Sequence, residues 1–204
     1  PGTFTLNAPN LTVNGPARFL GPTTGEFLIR SWTINAEVVV SGDLRIEGNV
    51  NFNSALNVAA GKTLRLVGDP SVGPASLTLT NGLINAGTIE LTTSNVNYSA
   101  SLTVTAGTLT NAPGGLIRAA QGFGGSARTL NANLDNQGTV EVAHNLTYSG
   151  DFINDGTVNL SAGKTLTVQG TTTWTHRNGG ITGSGTLSLA NGSTFVLEED
   201  FTPG

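Results

Sequence analysis

Short runs in which apolar and polar residues alternate cover most of the chain. Examples are residues 75–82 (ASLTLTNG), 101–107 (SLTVTAG) and 164–170 (KTLTVQG), in which Leu or Val alternates with Thr. Successive side chains of a β-strand point to opposite faces, so each run predicts a strand with one apolar and one polar face. No segment carries the apolar 3.6-residue period of an amphipathic helix. We therefore predict an all-β protein made of short strands.

A strand–corner–strand pattern recurs along the chain. It reads apolar residue, Asn, any residue, Gly, Thr, β-branched residue, and its copies contain Asn85, Asn136 and Asn154, with a degenerate copy at Asn111. The copies follow one another at intervals of roughly 18 to 26 residues, which is typical of solenoid coils and too short for propeller blades or helical repeats. The run GKTL also occurs twice, at residues 61–64 and 163–166, and predicts solvated corners in two separate coils.

One such coil cannot bury its apolar face alone, whereas stacked coils enclose a shared core. We predict a single right-handed parallel β-helix, with about eight to ten coils of roughly 20–25 residues. The motif glycine should supply the positive φ of a sharp corner, and the motif asparagines should stack as an amide ladder. An antiparallel β-sandwich has similar strand spacing but does not explain the recurring corner.

The N-terminal segment differs from the rest. Residues 1–35 lack the motif corner and contain Trp32 and several phenylalanines. Because the open end of a solenoid must be covered, we predict a cap or an irregular first coil over residues 1–35 and regular coils over residues 36–204. The chain has no Met, so we expect a larger polypeptide that adds further β-helix coils or an anchor.

Composition excludes several classes of function. Only 11% of the residues are charged, against roughly 25% in soluble domains. The net charge is −4 without a basic cluster, so we expect no nucleic-acid partner. No apolar run approaches the roughly 18 residues of a membrane span. Cys is absent, which excludes disulfides, thiolate metal sites and a Cys nucleophile.

Acidic residues are the first candidates for chemistry. The densest group consists of Asp135, Glu141, Asp151 and Asp155. Glycoside hydrolysis requires two carboxylates flanking one groove, but when the motifs are aligned Asp135 precedes the corner and Asp155 follows it. Asp beside Asn or Gly is also ordinary turn chemistry. We therefore expect no catalytic residue, no metal site and no cofactor. A second pair of carboxylates, Glu90 and Glu141, should point outward from strands that lie two coils apart.

Aromatic residues are the candidates for ligand contact. Trp174 lies in a Thr-alternating run that places it on one face with His176, and Tyr98 and Tyr148 occur in similar contexts. Because an exposed aromatic ring can stack on a sugar, Trp174, Tyr148 and Tyr98 are hypothetical glycan contacts. Inward packing of Trp174 is the alternative. His144 and His176 lack partners at metal-ligand spacing, so we expect surface or turn positions for both.

Threonine rows suggest one further activity. T-x-T occurs at residues 78–80, 103–105, 108–110 and 165–167. A flat T-x-T array can order water for ice binding, but this needs one row per coil on the same side. We expect the irregular repeat length to break such an array, since Thr is also what any exposed β-face prefers.

The N-x-G-T-[VI] corners and GKTLTV-type strands of residues 40–197 resemble the β-helical stalks of large bacterial surface proteins, such as autotransporter passengers and filamentous-haemagglutinin-like exoproteins. The resemblance implies a secreted or cell-surface bacterial stalk used in adhesion, with no catalytic residues. We expect a non-catalytic structural or adhesive segment that presents polar β-faces to glycans or to host or abiotic surfaces. The alternatives are a polysaccharide lyase or hydrolase, a phage or appendage fibre segment, and an ice-binding solenoid.

Overall fold

A computed structural model describes residues 12–13, 17–19, 26–35, 38–40 and 42–198, with side chains for residues 26–35 and 42–198. The described chain contains strands and turns but no helix. Every strand pairs in parallel with the equivalent strands of the neighbouring coils. The chain is therefore an all-β parallel β-helix, which confirms the predicted solenoid.

Each coil has three sides, which we name A, B and C in chain order. Side A contains β1 (Thr12–Val13), β4 (Thr33–Ile34), β7 (Asn49–Phe52), β10 (Ala75–Leu79), β17 (Leu146–Ser149), β20 (Thr165–Gln169) and β23 (Thr186–Leu189). Side B contains β2 (Ala17–Phe19), β5 (Val38–Val40), β8 (Leu56–Val58), β11 (Leu83–Asn85), β18 (Phe152–Asn154), β21 (Thr173–His176) and β24 (Thr194–Leu197). Two longer strands run from side A into side B, β13 (Ala100–Asn111) and β15 (Arg128–Asn136).

Side C is a separate eight-stranded sheet. Its strands are β3 (Glu26–Arg30), β6 (Asp43–Glu47), β9 (Thr63–Gly68), β12 (Thr88–Thr93), β14 (Leu116–Ala119), β16 (Thr139–Val142), β19 (Thr157–Leu160) and β22 (Gly180–Gly183). The described strands make eight successive coils and two sides of a ninth, which agrees with the predicted number. We number the coils 1 to 9 from the N-terminus.

The described strands of the N-terminal segment are part of the β-helix. Strand β3 pairs with β6, and β4 pairs with β7. Trp32 is fully buried and packs edge-on against Phe27. The rest of the predicted cap or irregular first coil, residues 1–11, 14–16 and 20–25, lies outside the described residues, so the cap stays a prediction for these residues.

Inward side chains form columns that run along the axis. On side B the register stacks leucines of coils 3 to 6 and then aromatic rings in coils 7 to 9, in the order Leu56, Leu83, Leu109, Leu134, Phe152, Trp174 and Phe195. The rings of Phe152 and Trp174 are parallel, with centroids 4.0 Å apart. Each coil buries its apolar face against its neighbours, so the core is continuous from end to end.

The predicted amide ladder is present and buried. Nδ2 of each asparagine donates to Oδ1 of the asparagine in the next coil, at 2.8 Å from Asn85 to Asn111, 2.7 Å from Asn111 to Asn136 and 2.8 Å from Asn136 to Asn154. The second Nδ2 proton donates to a backbone carbonyl oxygen one coil further on, for example Thr139 O at 3.1 Å from Asn111. This second acceptor fixes which amide atom is oxygen.

The ladder has two different ends. At the N-terminal end the register places Val58 before Asn85, and Asn85 Oδ1 is buried without a hydrogen-bond partner among the described residues. At the other end Asn154 Nδ2 lies 3.2 Å from His176 Nδ1. Because Nδ2 carries only donor protons, His176 Nδ1 must be the acceptor, which places the imidazole proton on Nε2.

The motif glycines have a different role from the predicted one. Gly87, Gly138 and Gly156 do not have positive φ. A Cβ at each of these positions would collide with a carbonyl oxygen of the preceding coil. The glycines therefore let the B–C corners stack closely, so that the backbone ladder continues through them, as in the 2.8 Å bond from Thr157 N to Gly138 O.

The repeated GKTL run forms the same turn at two different corners. Gly61 and Gly163 have φ of 71° and 68°, and Lys62 N and Lys164 N each donate to the carbonyl three residues earlier at 3.0 Å. The first copy lies between β8 and β9, at a B–C corner, whereas the second lies between β19 and β20, at a C–A corner. The run is thus a tight-corner module rather than a mark of register, and its two lysines lie in different coils and at different corners.

Replacing Asn136 with Ala removes two bonds from the middle of the ladder. Asn154 Oδ1 would be left unpaired inside the protein, so we expect a loss of about 2–4 kcal/mol in the free energy of unfolding. Denaturant unfolding measures this, with Asn57→Ala as the control because Asn57 is exposed on side B. Equal unfolding midpoints for the two variants would contradict a stabilising ladder.

Candidate functional site

Two of the three predicted glycan contacts lie inside the core. Trp174 and Tyr148 are 0% and 1% exposed. Trp174 does share a face with His176, as expected, but that face is the inward one, and its ring is stacked on Phe152. Neither ring can stack on a sugar, so this part of the glycan-contact hypothesis is wrong. Tyr98 is half-buried in the loop between β12 and β13.

Tyr148 instead supports the backbone of a corner. Its hydroxyl group hydrogen-bonds with Ala132 O at 2.6 Å and with Asp151 O at 2.8 Å. Burial raises the pKa of the Tyr148 hydroxyl far above its usual range, and the nearby Asp151 carboxylate raises it further. The phenol is therefore a neutral strut between the A–B corners of coils 6 and 7.

Both histidines are buried: His144 lies at the corner between β16 and β17, a turn position as expected, whereas His176 lies inward at the end of β21, contrary to expectation. His176 is 3% exposed, because it replaces asparagine at the end of the ladder. His144 is 9% exposed, and its Nδ1 lies 3.2 Å from Asn145 O. Burial lowers the pKa of the His144 imidazole. The repeat alignment could have indicated the position of His176, since it follows Trp174 as Asn154 follows Phe152.

The acidic group that was dense in sequence is spread over the surface of the coil. Glu141 lies on side C and Asp135 on side B, whereas Asp151 and Asp155 lie at the A–B and B–C corners. Asp155 pairs with Arg177 at 2.9 Å, and Asp135 accepts a bond from Gln137 at 2.8 Å. Within the described residues no group of three His, Asp or Glu side chains could hold a metal ion.

Side C carries an ionic column. In-register outward positions hold Arg45, Arg65, Glu90, Arg118 and Glu141. Arg65 pairs with Glu90 at 2.9 Å, and Arg118 pairs with Glu141 at 3.3 Å. Glu90 and Glu141 thus lie two coils apart with Arg118 between them, as the sequence predicted. Partly exposed pairs of this kind contribute about 0–1 kcal/mol each. Charges alternate along the column from Arg65 to Glu141, whereas Arg45 and Arg65 are like-charged neighbours.

Side A is uncharged and regular over six consecutive coils. One outward position per coil holds a hydroxyl group, and we name this set the hydroxyl column: Ser76, Ser101, Thr129, Thr147, Thr167 and Ser188. A parallel neighbouring column contains Thr103, Asn131 and Ser149, in which Asn131 Nδ2 donates to Thr103 Oγ1 at 3.3 Å and Ser149 Oγ donates to Asn131 Oδ1 at 2.6 Å.

The irregular repeat length leaves the register of this side intact, although the T-x-T runs form no regular array, as expected: residues 108–110 lie on side B, and the second outward column continues with Asn131, Ser149 and Gln169. Thr103 and Asn131 are 28 residues apart in the chain and Asn131 and Ser149 are 18 apart, yet both pairs are in register. The additional residues lie in the C–A loops 69–74, 94–99 and 120–127 and in a bulge between Thr103 and Thr108. Loop length therefore varies where no register depends on it.

A buried arginine, which the sequence pattern did not indicate, holds the longest of these loops. Arg128 is 0% exposed at an inward position between Ala100 and Leu146. Its guanidinium donates to the carbonyl oxygens of Ala120, Ser126 and Gln121, at 3.2, 2.7 and 3.1 Å. Burial lowers the pKa of the Arg128 side chain. Three fixed carbonyl groups give the 120–127 loop a defined shape.

A depression of the surface follows the A–B corner. Two adjoining hollows of about 260 Å³ each share Asn133, Ser149 and Gly150, and together they span coils 5 to 8. We name this feature the A–B groove. Thr105 lies at one end, and Asp151 and Gln169 line the other half. Its walls combine polar and apolar surface, and Tyr148 lies directly beneath the Gly150–Asp151 floor.

Tyr148→Phe should remove the strut and its hydrogen bond with the buried Ala132 carbonyl, while Asp151 O keeps the bond from Leu134 N, lowering the free energy of unfolding by about 1–2 kcal/mol at neutral pH. The pKa of Tyr148 is higher in the folded protein than in the unfolded chain, where it is about 10. The contribution of Tyr148 to the free energy of unfolding is therefore complete below pH about 10 and declines as the pH rises above that value. Urea unfolding between pH 8 and 11 should show a steeper alkaline decline for the native chain than for Tyr148→Phe. A control variant, Tyr98→Phe, should retain the native slope; parallel profiles for all three proteins would contradict the assignment.

The described residues include no helix that is long and apolar enough to cross a membrane. Comparison of the chain with known proteins found no matching family model, no matching curated protein and no matching solved structure. The function therefore has to be inferred from the surface of the β-helix itself.

Proposed function

We propose that this chain is a non-catalytic structural and adhesive segment of a secreted or cell-surface bacterial protein. It forms a stiff spacer that presents uncharged polar surface to glycans or to host or abiotic surfaces. The proposal rests above all on the segregation of charge. Ion pairs occupy side C, whereas the hydroxyl column and its neighbour on side A carry no charge.

Repetition suits attachment by many weak contacts. Hydroxyl and amide groups recur at each coil of side A, at a spacing of about 4.8 Å. A single neutral hydrogen bond exchanged with water contributes only about 1 kcal/mol. Repeated contacts on a rigid support gain strength through multivalency, and the amide ladder provides that rigidity. Further coils or an anchor in a larger polypeptide would place this surface away from the cell.

Adhesion can be tested with beads that carry the chain. Under flow, coated beads should be retained on films of neutral polysaccharide, and Thr147→Lys on side A should reduce retention, because it places a strongly hydrated charge in the uncharged surface. Asn159→Lys is the matched control, since Asn159 occupies an outward position on side C. If uncoated and coated beads detach at the same shear, the adhesive function is wrong and only a spacer role is left.

A second candidate function, ice binding, is favoured by one observation. The hydroxyl column continues without interruption from coil 4 to coil 9. The irregular repeat length therefore no longer argues against a regular array of hydroxyl groups that could order water.

Thermal hysteresis and ice recrystallisation measurements test this candidate. We expect the native chain to slow ice growth and the double variant Thr147→Lys/Thr167→Lys to lose the effect. Thr139→Lys/Thr157→Lys on side C is the control and should retain it. Ice growth that is the same with and without the native chain would eliminate ice binding and leave the adhesive proposal untouched.

A further inference from the structure

We propose that the A–B groove binds a neutral, linear glycan that lies along the helix axis across coils 5 to 8. This inference rests on the proposed adhesive function and assigns it a ligand class and a site. It depends on three properties of the groove: its continuity, its unused hydrogen-bonding groups and its charge.

Continuity sets the shape of the ligand. The two hollows share Asn133, Ser149 and Gly150, so a chain molecule can pass from one to the other without leaving the groove. The coils stack along the axis, and the groove crosses their A–B corners in succession. The fit is to an extended oligomer rather than to a compact small molecule.

On the floor of the groove, the side chains of Asp151 and Asn133 each have one polar atom in a hydrogen bond and one without. Asp151 Oδ1 accepts a bond from Thr173 N at 2.9 Å, and Asn133 Oδ1 accepts one from Asp151 N at 3.1 Å. Within the described part of the chain, no hydrogen bond engages Asp151 Oδ2 or Asn133 Nδ2. The groove thus offers one free acceptor and one free donor, each on a side chain whose other polar atom is held by a hydrogen bond. Neighbouring hydroxyl groups of a sugar can donate to the one and accept from the other.

Charge selects among glycans. The residues that line the groove include Asp151 but no Lys or Arg. An anionic glycan, such as a uronate or a sulfate ester, would gain no cationic partner and would be repelled by the carboxylate. A neutral polyol gains a charge-assisted hydrogen bond from the same group. No aromatic ring lines the groove either, so hydrogen bonding rather than stacking provides the recognition.

The floor is held in place before a ligand arrives. The Tyr148 hydroxyl fixes the Asp151 carbonyl from below. Gly150 has φ of 112°, and a Cβ there would collide with Ala132. Such fixation reduces the entropy lost on binding. Tyr148 is therefore a positioning residue that acts through Asp151, and it does not touch the ligand.

Calorimetric titration with linear oligosaccharides of glucose, mannose, xylose and N-acetylglucosamine, from monosaccharide to hexasaccharide, tests the proposal. In at least one series, affinity should rise with length until the oligomer spans the groove and should then stay constant. Asp151→Asn keeps the bond from Thr173 N but removes the charge, and should weaken binding about tenfold. Gln169→Ala should weaken binding of the longer oligomers alone.

Asp135→Asn is the matched control, because Asp135 lies on side B outside the groove; it should bind like the native chain. Unfolding midpoints verify that each variant is folded. Unchanged affinity in Asp151→Asn, or preferential binding of oligogalacturonate, would overturn the groove assignment. Failure of every neutral series while beads still adhere would refute the glycan inference but not adhesion. Loss of both would refute the adhesive function as well.

Discussion

The interior amide ladder is the interaction on which the rest of the molecule depends. An amide buried without partners destabilises a protein by several kcal/mol, and each ladder asparagine satisfies its own amide only if the next coil stacks in register. Slippage by one residue would turn the inward column to solvent. Close stacking of the B–C corners, which the motif glycines permit, holds the bonds at 2.7–2.8 Å. Three ladder asparagines precede the next side C strand by three residues, whereas Asn111 precedes Leu116 by five, so coil length varies even at this corner while the register is kept.

Because the register between coils is fixed, equivalent residues of successive coils line up in columns on the surface. One arginine or glutamate per coil becomes the ionic column of side C, and one Ser or Thr per coil becomes the hydroxyl column of side A. The A–B groove arises in the same way, because consecutive A–B corners open on the same edge. The variable C–A loops leave these columns undisturbed. They lie outside the strands that carry the columns and away from the amide ladder, which runs along the end of side B.

Polar side chains at inward positions have identifiable structural roles. Tyr148 and Arg128 both occupy core columns, and both bind backbone carbonyl groups of irregular segments. Asp69 fixes an outer loop as an acceptor instead: Ser71 and Ser94 donate to its carboxylate, and these bonds lower its pKa to about 2. Each departure from the repeat is thus matched by a side chain that fixes its backbone, which explains how loops of different length coexist with a regular helix.

The sequence by itself determined the strands, the coil repeat and the amide ladder, because alternation and the Asn-x-Gly-Thr motif are local patterns with a direct physical meaning. It could not tell which face points inward where polar residues occupy both faces, as around Trp174 and His176, and there only the stacked neighbours show that these side chains are buried. The reason for the motif glycines also depended on the adjacent coil. Register across loops of unequal length, and with it the hydroxyl column and the groove, is a property of the stacked coils, since no single coil contains the contacts that set it.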